Sequence, residues 1–521
     1  MNLSRRIFFA AGAGWLNRFI AIGLGLVFTR VLFAKLVREE QGLWLLVGNS
    51  TAFLAMLDLG LLPTLTRRIA LACGRNKGGA AAELDEGSRR EIADLFTSGL
   101  HLYRVLAAVV FVLGTGAGLL LLSRLHFEQV SPHRAYLAWI ILSAGYALNV
   151  WAQPWGCLVN GMGLVGWNTV LAMVLNTLTV AVQLAVVYCG GGIIAMASVA
   201  AVGAVVNRQA TFTLLRWMHP QIFGLRGRWD GAAVRSMMSP ALRAWITMLG
   251  GFLILQTDQY FISYFMTTKA LPEYQAAYQI VMNMYAFAVL FATSSSVYIS
   301  HLWQAGDLER VHGLVRRSLR LGLFLMACGV AWLVVAGRPI FDLWLGAGHF
   351  VGYPVLLTFC AMASLEAHHV IISSCSRATE DEAFAAWAIG AGILNLIFTW
   401  LLIRPLGLWG VALGTMLAQL LTNNWYASYR GLRRLRMSLW RHVETVLIPV
   451  ALVFGAALAA GWLLAIAARP ADIPYLEVFA SLGASGCVGL SSIWLYGIEE
   501  QDRERAYGYI RRRVAVLTGH L

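Results

Sequence analysis

The chain consists of long apolar runs separated by short polar connections, and this pattern continues from one end to the other. Each run has about the 20 residues that a helix needs to cross the hydrocarbon core of a bilayer. None shows the period-two alternation of a half-buried β-strand. Because backbone polar groups in lipid must be hydrogen-bonded within the protein, the pattern predicts transmembrane helices.

The runs predict about fourteen such helices. The first follows the basic start "MNLSRR", but its apolar run is far longer than the roughly 7–15 residues of a signal-peptide core, so we expect it to be retained. The predicted spans are 7–34, 42–62, 99–123, 135–159, 164–189, 192–217, 241–267, 274–303, 319–346, 351–375, 383–403, 407–429, 442–467 and 474–496.

The composition agrees with a polytopic membrane protein. The 521 residues are 59% hydrophobic and only 13% charged, whereas soluble domains carry about 25% charged residues. The seven cysteines are scattered and form no CxxC pair. We therefore interpret them as free thiols that pack within the protein, and we expect no disulfide and no metal site.

The basic residues predict the orientation in the membrane. With the N-terminus in the cytoplasm, 27 of the 40 Lys and Arg residues fall on the inner side and 7 on the outer side. This asymmetry follows the positive-inside rule and predicts that both termini and the loop 63–98 are cytoplasmic. The net charge of +14 does not indicate nucleic-acid binding, because basic runs such as "RGLRRLR" lie at the ends of spans.

Two stretches of the chain repeat in the same order. "REEQGLW" at 38–44 matches "PEYQAAY" at 272–278, and "VLN" ending at Asn176 matches "ILN" ending at Asn395. Two halves of six helices each would enter the membrane in the same direction, as in transporters with parallel repeats. We expect an N-terminal lobe over 1–220, a C-terminal lobe over 221–435, and two extra helices with a basic cytoplasmic tail over 436–521.

Longer stretches carry a family resemblance. They are "EEQGLWLLVGNSTAFLAMLDLGLLPTLTRRIA", "ILQTDQYFISYF" leading into "AAYQIVMNMYAF", and "ILNLIFTWLLIRPLGLWGVALGT". On these motifs the chain resembles the multidrug/oligosaccharidyl-lipid/polysaccharide exporter superfamily and, within it, the bacterial polysaccharide flippases for O-antigen and exopolysaccharide. The long basic loop 63–98 and the histidines near 366–369 depart from the family pattern.

The resemblance implies a fold and a function. The fold would be all-α, with two six-helix lobes around a central cavity. The function would be the flipping of polyprenyl-pyrophosphate-linked oligosaccharides across the bacterial inner membrane by alternating access, without enzymatic activity and without a cofactor. The implied partners are this lipid-linked substrate, membrane lipids, H+ or Na+ as a coupling ion, and the polymerase and other proteins of polysaccharide assembly.

Several arginines fall within predicted spans, where a charge costs about 2.5–3.5 kcal/mol on insertion scales. Since arginine binds phosphate by charge and by bidentate hydrogen bonds, we expect a cationic cavity for the substrate. Its candidates are Arg18, Arg30, Arg208 and Arg243. For Arg30 and Arg243 a position at the membrane interface is an equal alternative, and Arg208 could instead pair with an acid on a neighbouring helix.

Amides and acids complete the candidate site. Asn17, Asn176, Asn207 and Gln256 are the predicted polar residues of the cavity, although amides in membranes often join helices instead. Asp258 and Glu366 are candidates for ion or proton coupling. His369 lies at i+3 from Glu366 and would share its face, and a structural polar contact there is the alternative.

Other functions remain open at this point. A cation-coupled multidrug antiporter of the same fold would favour an acidic cavity over an arginine-rich one. A membrane-embedded polysaccharide polymerase or ligase would need a substantial external loop, and a flippase for lipid-linked peptidoglycan precursors would work in the same way as the polysaccharide flippases. No GxxxxGK[ST] motif is present, so direct use of ATP is not expected.

Overall fold

The computed structural model describes residues 3–56, 61–74, 86–218, 220, 227–379, 384–468, 473 and 475–497. Part of the predicted loop 63–98 and the basic tail therefore lie outside the described residues. Within the described residues every regular element is helical. Its α-helices are α1 Leu3–Lys35, α2 Arg38–Met56, α3 Leu61–Gly74, α4 Glu86–Leu122, α5 Pro132–Gly161, α6 Val165–Tyr188, α7 Ile193–Met218, α8 Gly231–Leu255, α9 Asp258–Phe265, α10 Leu271–Gln304, α11 Leu308–Leu345, α12 Tyr353–Arg377, α13 Ala385–Leu421, α14 Asn423–Arg434, α15 Leu439–His442, α16 Ile448–Ala468 and α17 Leu476–Ser492.

The helices confirm the predicted all-α polytopic fold. Ten of those described are long and apolar enough to cross a membrane, and one of the ten, Ala386–Arg434, contains two predicted spans. The predicted spans 42–62, 241–267 and 274–303 fall on α2, on α8 with α9, and on α10. The apolar runs of the sequence therefore correspond to helices throughout the described chain.

Helix α13 is two helices joined by a tight turn. Gly407, two residues after Pro405, has φ 59° and ψ −136°, a conformation that side chains disfavour. A Cβ on Gly414 would lie 2.8 Å from the backbone nitrogen of Thr399, whereas a continuous helix would hold these residues about 22 Å apart. The segments on either side of Gly407 therefore run antiparallel, as the predicted spans 383–403 and 407–429 require.

The predicted inner loop 63–98 is helical where it is described, over 63–74 and 86–98, and its cytoplasmic position stays a prediction. Helix α4 begins at Glu86, well before the predicted start at 99, and α3 occupies Leu61–Gly74. The apolar residues of α3 are spaced along one buried face, as Leu61, Leu65 and Ile69 show. Because Arg67 and Arg68 interrupt the run, the stretch is amphipathic and does not register as a continuous apolar span.

The chain folds into two compact units, residues 1–272 and residues 273–521. In unit 1, α5 packs on α4, α6 and α7, and α6 packs on α7. In unit 2, α12 packs in the equivalent way on α11, α13 and α14, and α13 packs on α14. The repeated packing supports the predicted internal repeat, while lobe boundaries near 220 and 435 stay predictions.

The last helices extend unit 2. Helices α16 and α17 pack on each other and on α11. The packing of α16 on α11 is centred on a buried cluster formed by Phe324, Ala331, Val453 and Ala457. These are the two extra helices that the sequence predicted beyond the repeat.

The repeated acids Glu39 and Glu273 hold equivalent loops. Glu39, only 2% exposed, accepts hydrogen bonds from the backbone N–H groups of Glu128, Gln129 and Val130, between α4 and α5. Glu273 contacts Nδ1 of His349 at 3.2 Å, between α11 and α12. In each of the two predicted repeats, the acid that follows the first helix contacts the loop after the third helix.

Candidate functional site

Arg18 lies in the middle of α1 with an exposed side chain. Seventeen residues separate it from Lys35 at the helix end, which corresponds to about 26 Å. Helix α1 packs on α6, and no described residue forms an ion pair or hydrogen bond with Arg18. The adjacent Asn17 is half-buried. Arg18 is thus an exposed cation in the middle of α1, and its donors are available.

Arg208 lies at mid-length in α7 and stacks on an aromatic ring. Its Cζ is 4.1 Å from the centroid of the Trp151 ring on α5, close enough for a cation–π interaction. The predicted alternative, an acidic partner for Arg208, is absent among the described ion pairs, and its buried Nε has no hydrogen-bond partner. Asn207 beside it is half-buried.

Two contacts show that Arg18 and Arg208 lie at similar depths in unit 1. The Nζ of Lys35, at the end of α1, is 4.9 Å from the ring of Tyr188. The N–H of Ile193, at the start of α7, donates to Glu40 at 3.1 Å. The end of α1 and the start of α7 therefore lie together, and Arg208 is about 22 Å from that level, against about 26 Å for Arg18.

The other residues predicted for the cationic and polar cavity lie on several helices. Arg30 is exposed near the end of α1, as its interfacial alternative requires, and Asn176 is exposed on α6. Gln256 is half-buried between α8 and α9. Arg243 belongs to α8, but its side chain lies outside the described residues.

Asp258 lies where the predicted span 241–267 is interrupted. Helix α8 ends at Leu255 and α9 begins at Asp258, whose side chain is only 7% exposed. Near it, Oε1 of Gln259 and Oγ of Ser263 are buried without hydrogen-bond partners. The Tyr260 hydroxyl donates to Ser50 Oγ at 3.0 Å, which joins α9 to α2. Asp258 is thus a buried carboxyl at a helix break within unit 1.

Glu366 lies in α12 of unit 2. Its Oε1 is 3.6 Å from Nε2 of His369, as the i+3 spacing predicted. His369 also contacts Oδ1 of Asn424 on α14 at 2.8 Å through its Nδ1. This polar contact between α12 and α14 supports the structural alternative for Glu366, and a coupling role stays a proposal.

Unit 2 also contains an apolar groove of about 440 Å³ between α11, α12 and α16. Its walls include Met326, Val330, Leu357, Val450 and Phe454. The sequence marks these residues only as membrane-spanning. The spacing of apolar residues is the same in a groove wall as in ordinary helix packing, so the sequence could not predict the groove. In the same way, nothing in the sequence distinguished Trp151, the ring partner of Arg208, from the other tryptophans among the 19.

Comparison with solved structures finds the same fold in transporters. The structure titled "Lipid II flippase MurJ, inward closed conformation" matches with a TM-score of 0.65 at 13% identity, over 93% of this chain and 98% of that chain. An inward-facing multidrug resistance MATE family transporter of the MOP superfamily matches with a TM-score of 0.65 at 14% identity, over 79% and 94%. The MATE transporter DinF-BH in complex with R6G matches with a TM-score of 0.57 at 13% identity, over 84% and 98%. At these identities the similarity establishes the fold.

Comparison with curated proteins finds no match. The family described as "Polysaccharide biosynthesis protein" matches residues 10–303, more than half of the chain. This segment contains Arg18, Arg208 and Asp258 together with two of the three longer stretches on which the resemblance was based. The chain therefore belongs to the polysaccharide biosynthesis protein family, and its fold is the one that the predicted resemblance to the MOP superfamily implied.

Proposed function

We propose that the protein flips polyprenyl-pyrophosphate-linked oligosaccharide units across the bacterial inner membrane for surface polysaccharide assembly. The observation that carries the proposal is the pair of arginines at similar depth in unit 1. Arg18 is exposed without a described partner, and Arg208 is held by the Trp151 ring rather than neutralised by an acid. Two such cations suit the two phosphates of a pyrophosphate.

The sugar part of the substrate would contact polar residues of the predicted cavity. Sugar hydroxyls would meet amides such as Asn17, Asn176, Asn207 and Gln256, with Arg30 and Arg243 as further cationic contacts. The sugar head would cross while the two repeats alternate in opening to either side.

Orientation and partners follow from the same proposal. The basic side of the protein, with both termini, would face the cytoplasm. There the lipid-linked unit would enter, and a polymerase with other assembly proteins would receive it on the far side of the membrane. No step of this cycle requires a cofactor or a covalent reaction by the protein.

The test is transport of a lipid-linked oligosaccharide in proteoliposomes. Arg18→Ala should lower transport at least about tenfold, because each lost charge-assisted hydrogen bond costs about 1.5–3 kcal/mol. Arg18→Lys should restore part of it, since lysine keeps the charge but loses the bidentate geometry. Arg104→Ala, which removes an exposed arginine from α4, is the matched control.

Full transport by Arg18→Ala would refute the proposal. Export of cationic drugs by the wild-type protein, without transport of the lipid-linked sugar, would instead favour the multidrug antiporter with the same fold.

We propose further that Asp258 couples transport to an ion gradient. Its burial beside the unpaired Gln259 and Ser263 groups gives a carboxyl whose charge depends on its surroundings. Asp258→Asn should then transport without responding to an imposed H+ or Na+ gradient. A normal gradient response in this variant would identify Asp258 as structural and leave Glu366 as the residue to test.

A further inference from the structure

A basic cavity of about 160 Å³ lies in unit 2, where α11 begins, α14 ends and α15 begins. Its lining includes His312, Arg316, Arg436, Arg441 and His442. None of the described residues that line it is acidic. Three arginines therefore line one small cavity with no acidic residue among its lining, and none of them belongs to the proposed transport site.

The backbone at Arg436 is held in a conformation that glycine normally supplies. Arg436 has φ 55° and follows the end of α14. Its N–H bonds to the carbonyl of Arg433, and the N–H of Met437 bonds to the carbonyl of Leu432. These are the two hydrogen bonds of a Schellman motif, in which the left-handed residue is usually glycine. Arg436 adopts this left-handed conformation and is the third arginine that lines the cavity.

A chain of hydrogen bonds determines the tautomer of His442. The Ser428 hydroxyl donates to the Asn424 carbonyl at 2.7 Å, so Ser428 Oγ accepts from Nδ1–H of His368 at 3.2 Å. Neutral His368 then has a free lone pair on Nε2, which accepts from Nε2–H of His442 at 2.9 Å.

Neutral His442 is therefore left with a lone pair on Nδ1. This ring is only 2% exposed, and its Nδ1 is buried without a hydrogen-bond partner in the described structure. The ring lines the basic cavity. A buried acceptor of this kind normally has a donor, and the arginines that line the same cavity favour an anion there.

The cavity wall is already ordered. His312 Nε2 donates to the Leu435 carbonyl at 2.7 Å, and Arg316 Nε donates to the His312 carbonyl at 3.2 Å. Both bonds hold side chains in place and leave the terminal nitrogens of Arg316 as donors. A preorganised guanidinium loses little side-chain entropy when it binds an oxyanion.

We propose that the basic cavity binds a phosphate group that carries a hydroxyl, either inorganic phosphate or a phosphomonoester. Its charged oxygens accept hydrogen bonds from Arg316, Arg436 and Arg441. Its P–OH donates to Nδ1 of His442, which sulfate or a phosphodiester cannot do. A ligand in this position joins α11, the end of α14 and the start of α15, so its binding stabilises the fold.

Thermal unfolding of the purified full-length protein tests the site. At neutral pH and matched ionic strength, phosphate should raise the midpoint temperature above that in chloride or sulfate. Arg436→Gly should raise the midpoint without ligand, because glycine relieves the left-handed backbone, and yet lose the phosphate-induced shift. A merely structural arginine would not separate these two effects.

Two further variants complete the set. Arg441→Gln, at an exposed position, should weaken phosphate binding at least about tenfold. Arg433→Gln removes the same charge from an exposed residue that does not line the cavity, and should keep the full shift. A phosphate shift that persists in Arg436→Gly and Arg441→Gln, or an equal shift with sulfate, overturns the proposal.

The source of the phosphate is decided by added lipids. Short-chain phosphatidic acid presents a phosphomonoester, whereas phosphatidylglycerol and phosphatidylcholine present diesters. A shift with phosphatidic acid alone assigns the site to a lipid headgroup, and a shift with inorganic phosphate alone assigns it to a soluble ligand. Equal shifts with phosphatidic acid and phosphatidylglycerol, or no shift with phosphate and phosphatidic acid alike, overturn the site.

Discussion

The charges that are buried or lie within predicted spans fall into two classes according to how their hydrogen bonds are satisfied. The Glu39 carboxylate is surrounded by backbone donors from one loop, so its charge is used within the fold. Arg208 has a ring partner and an unpaired Nε, and Arg18 has no described polar partner. A charge without an internal partner is costly in a membrane protein. Such groups are therefore the ones that we assign to a ligand.

The charges whose hydrogen bonds are satisfied within the fold can be tested by substituting Glu39. Glu39→Gln places an NH2 group against backbone N–H donors and should destabilise the protein by about 2–3 kcal/mol, since at least one buried donor loses its acceptor. Thermal unfolding in detergent measures the effect. Glu40→Gln is the matched control, because Glu40 accepts a backbone bond from Ile193 through Oε1, which glutamine can replace. Equal effects of the two changes would contradict the role of Glu39.

At the scale of elements, the informative features are the interruptions of helices. The predicted seventh span breaks between Leu255 and Asp258, which places a buried carboxyl at a helix start. Helix α13 turns back at Gly407. The break in α13 could be predicted from the proline and glycines of "PLGLWG". The break before Asp258 lies in "LQTDQY", which contains neither proline nor glycine. The first break is therefore stabilised by tertiary contacts such as the Tyr260–Ser50 hydrogen bond.

The turn in α13 can be tested by comparing alanine substitutions of two glycines in this helix, one at the turn and one in a helical segment. Gly407→Ala should cost about 1–3 kcal/mol, because a Cβ disfavours its φ of 59°. Gly390→Ala should instead stabilise the protein by about 0.5–1 kcal/mol, since Gly390 is helical and has no atom within 4 Å of a Cβ. Midpoints of thermal unfolding compare the two variants. A stabilising Gly407→Ala would contradict the turn.

At the scale of the whole molecule, charge and topology predict one orientation. The basic residues collect on one side of the fourteen predicted spans, and the positive-inside rule places that side in the cytoplasm. The end of α6 then faces the opposite side. Cys189 lies at this end and is exposed, whereas Cys73, Cys157, Cys328, Cys360 and Cys375 are buried. The remaining exposed thiol, Cys487, lies within the apolar helix α17.

Cys189 therefore reports orientation in the unmodified protein. A membrane-impermeant maleimide should label the wild-type protein in spheroplasts and should not label Cys189→Ser. In inside-out vesicles the labelling should fall, because the thiol then faces the lumen. Labelling of Cys189 from the cytoplasmic side alone would reverse the predicted topology.

Features that depend on local composition could be predicted from the amino-acid sequence. Runs of about 20 apolar residues can only be helices in lipid, so the spans, the all-α fold and the "PLGLWG" turn could be predicted from the residues. The repeat was recognisable because Glu39 and Glu273 recur in the same position relative to the spans. The extension of α4 to Glu86 and helix α3 were missed, since an amphipathic helix carries no continuous apolar run.

Contacts between residues that are distant in the sequence became visible in the folded structure. The stacking of Arg208 on Trp151, the loop held by Glu39 and the chain from Ser428 through His368 to His442 each join residues that lie more than 50 positions apart. Side-chain periodicity reports which face of a helix is apolar and not which neighbour covers it. The basic cavity arises in this way, because its arginines come from separate helix ends that packing alone brings together.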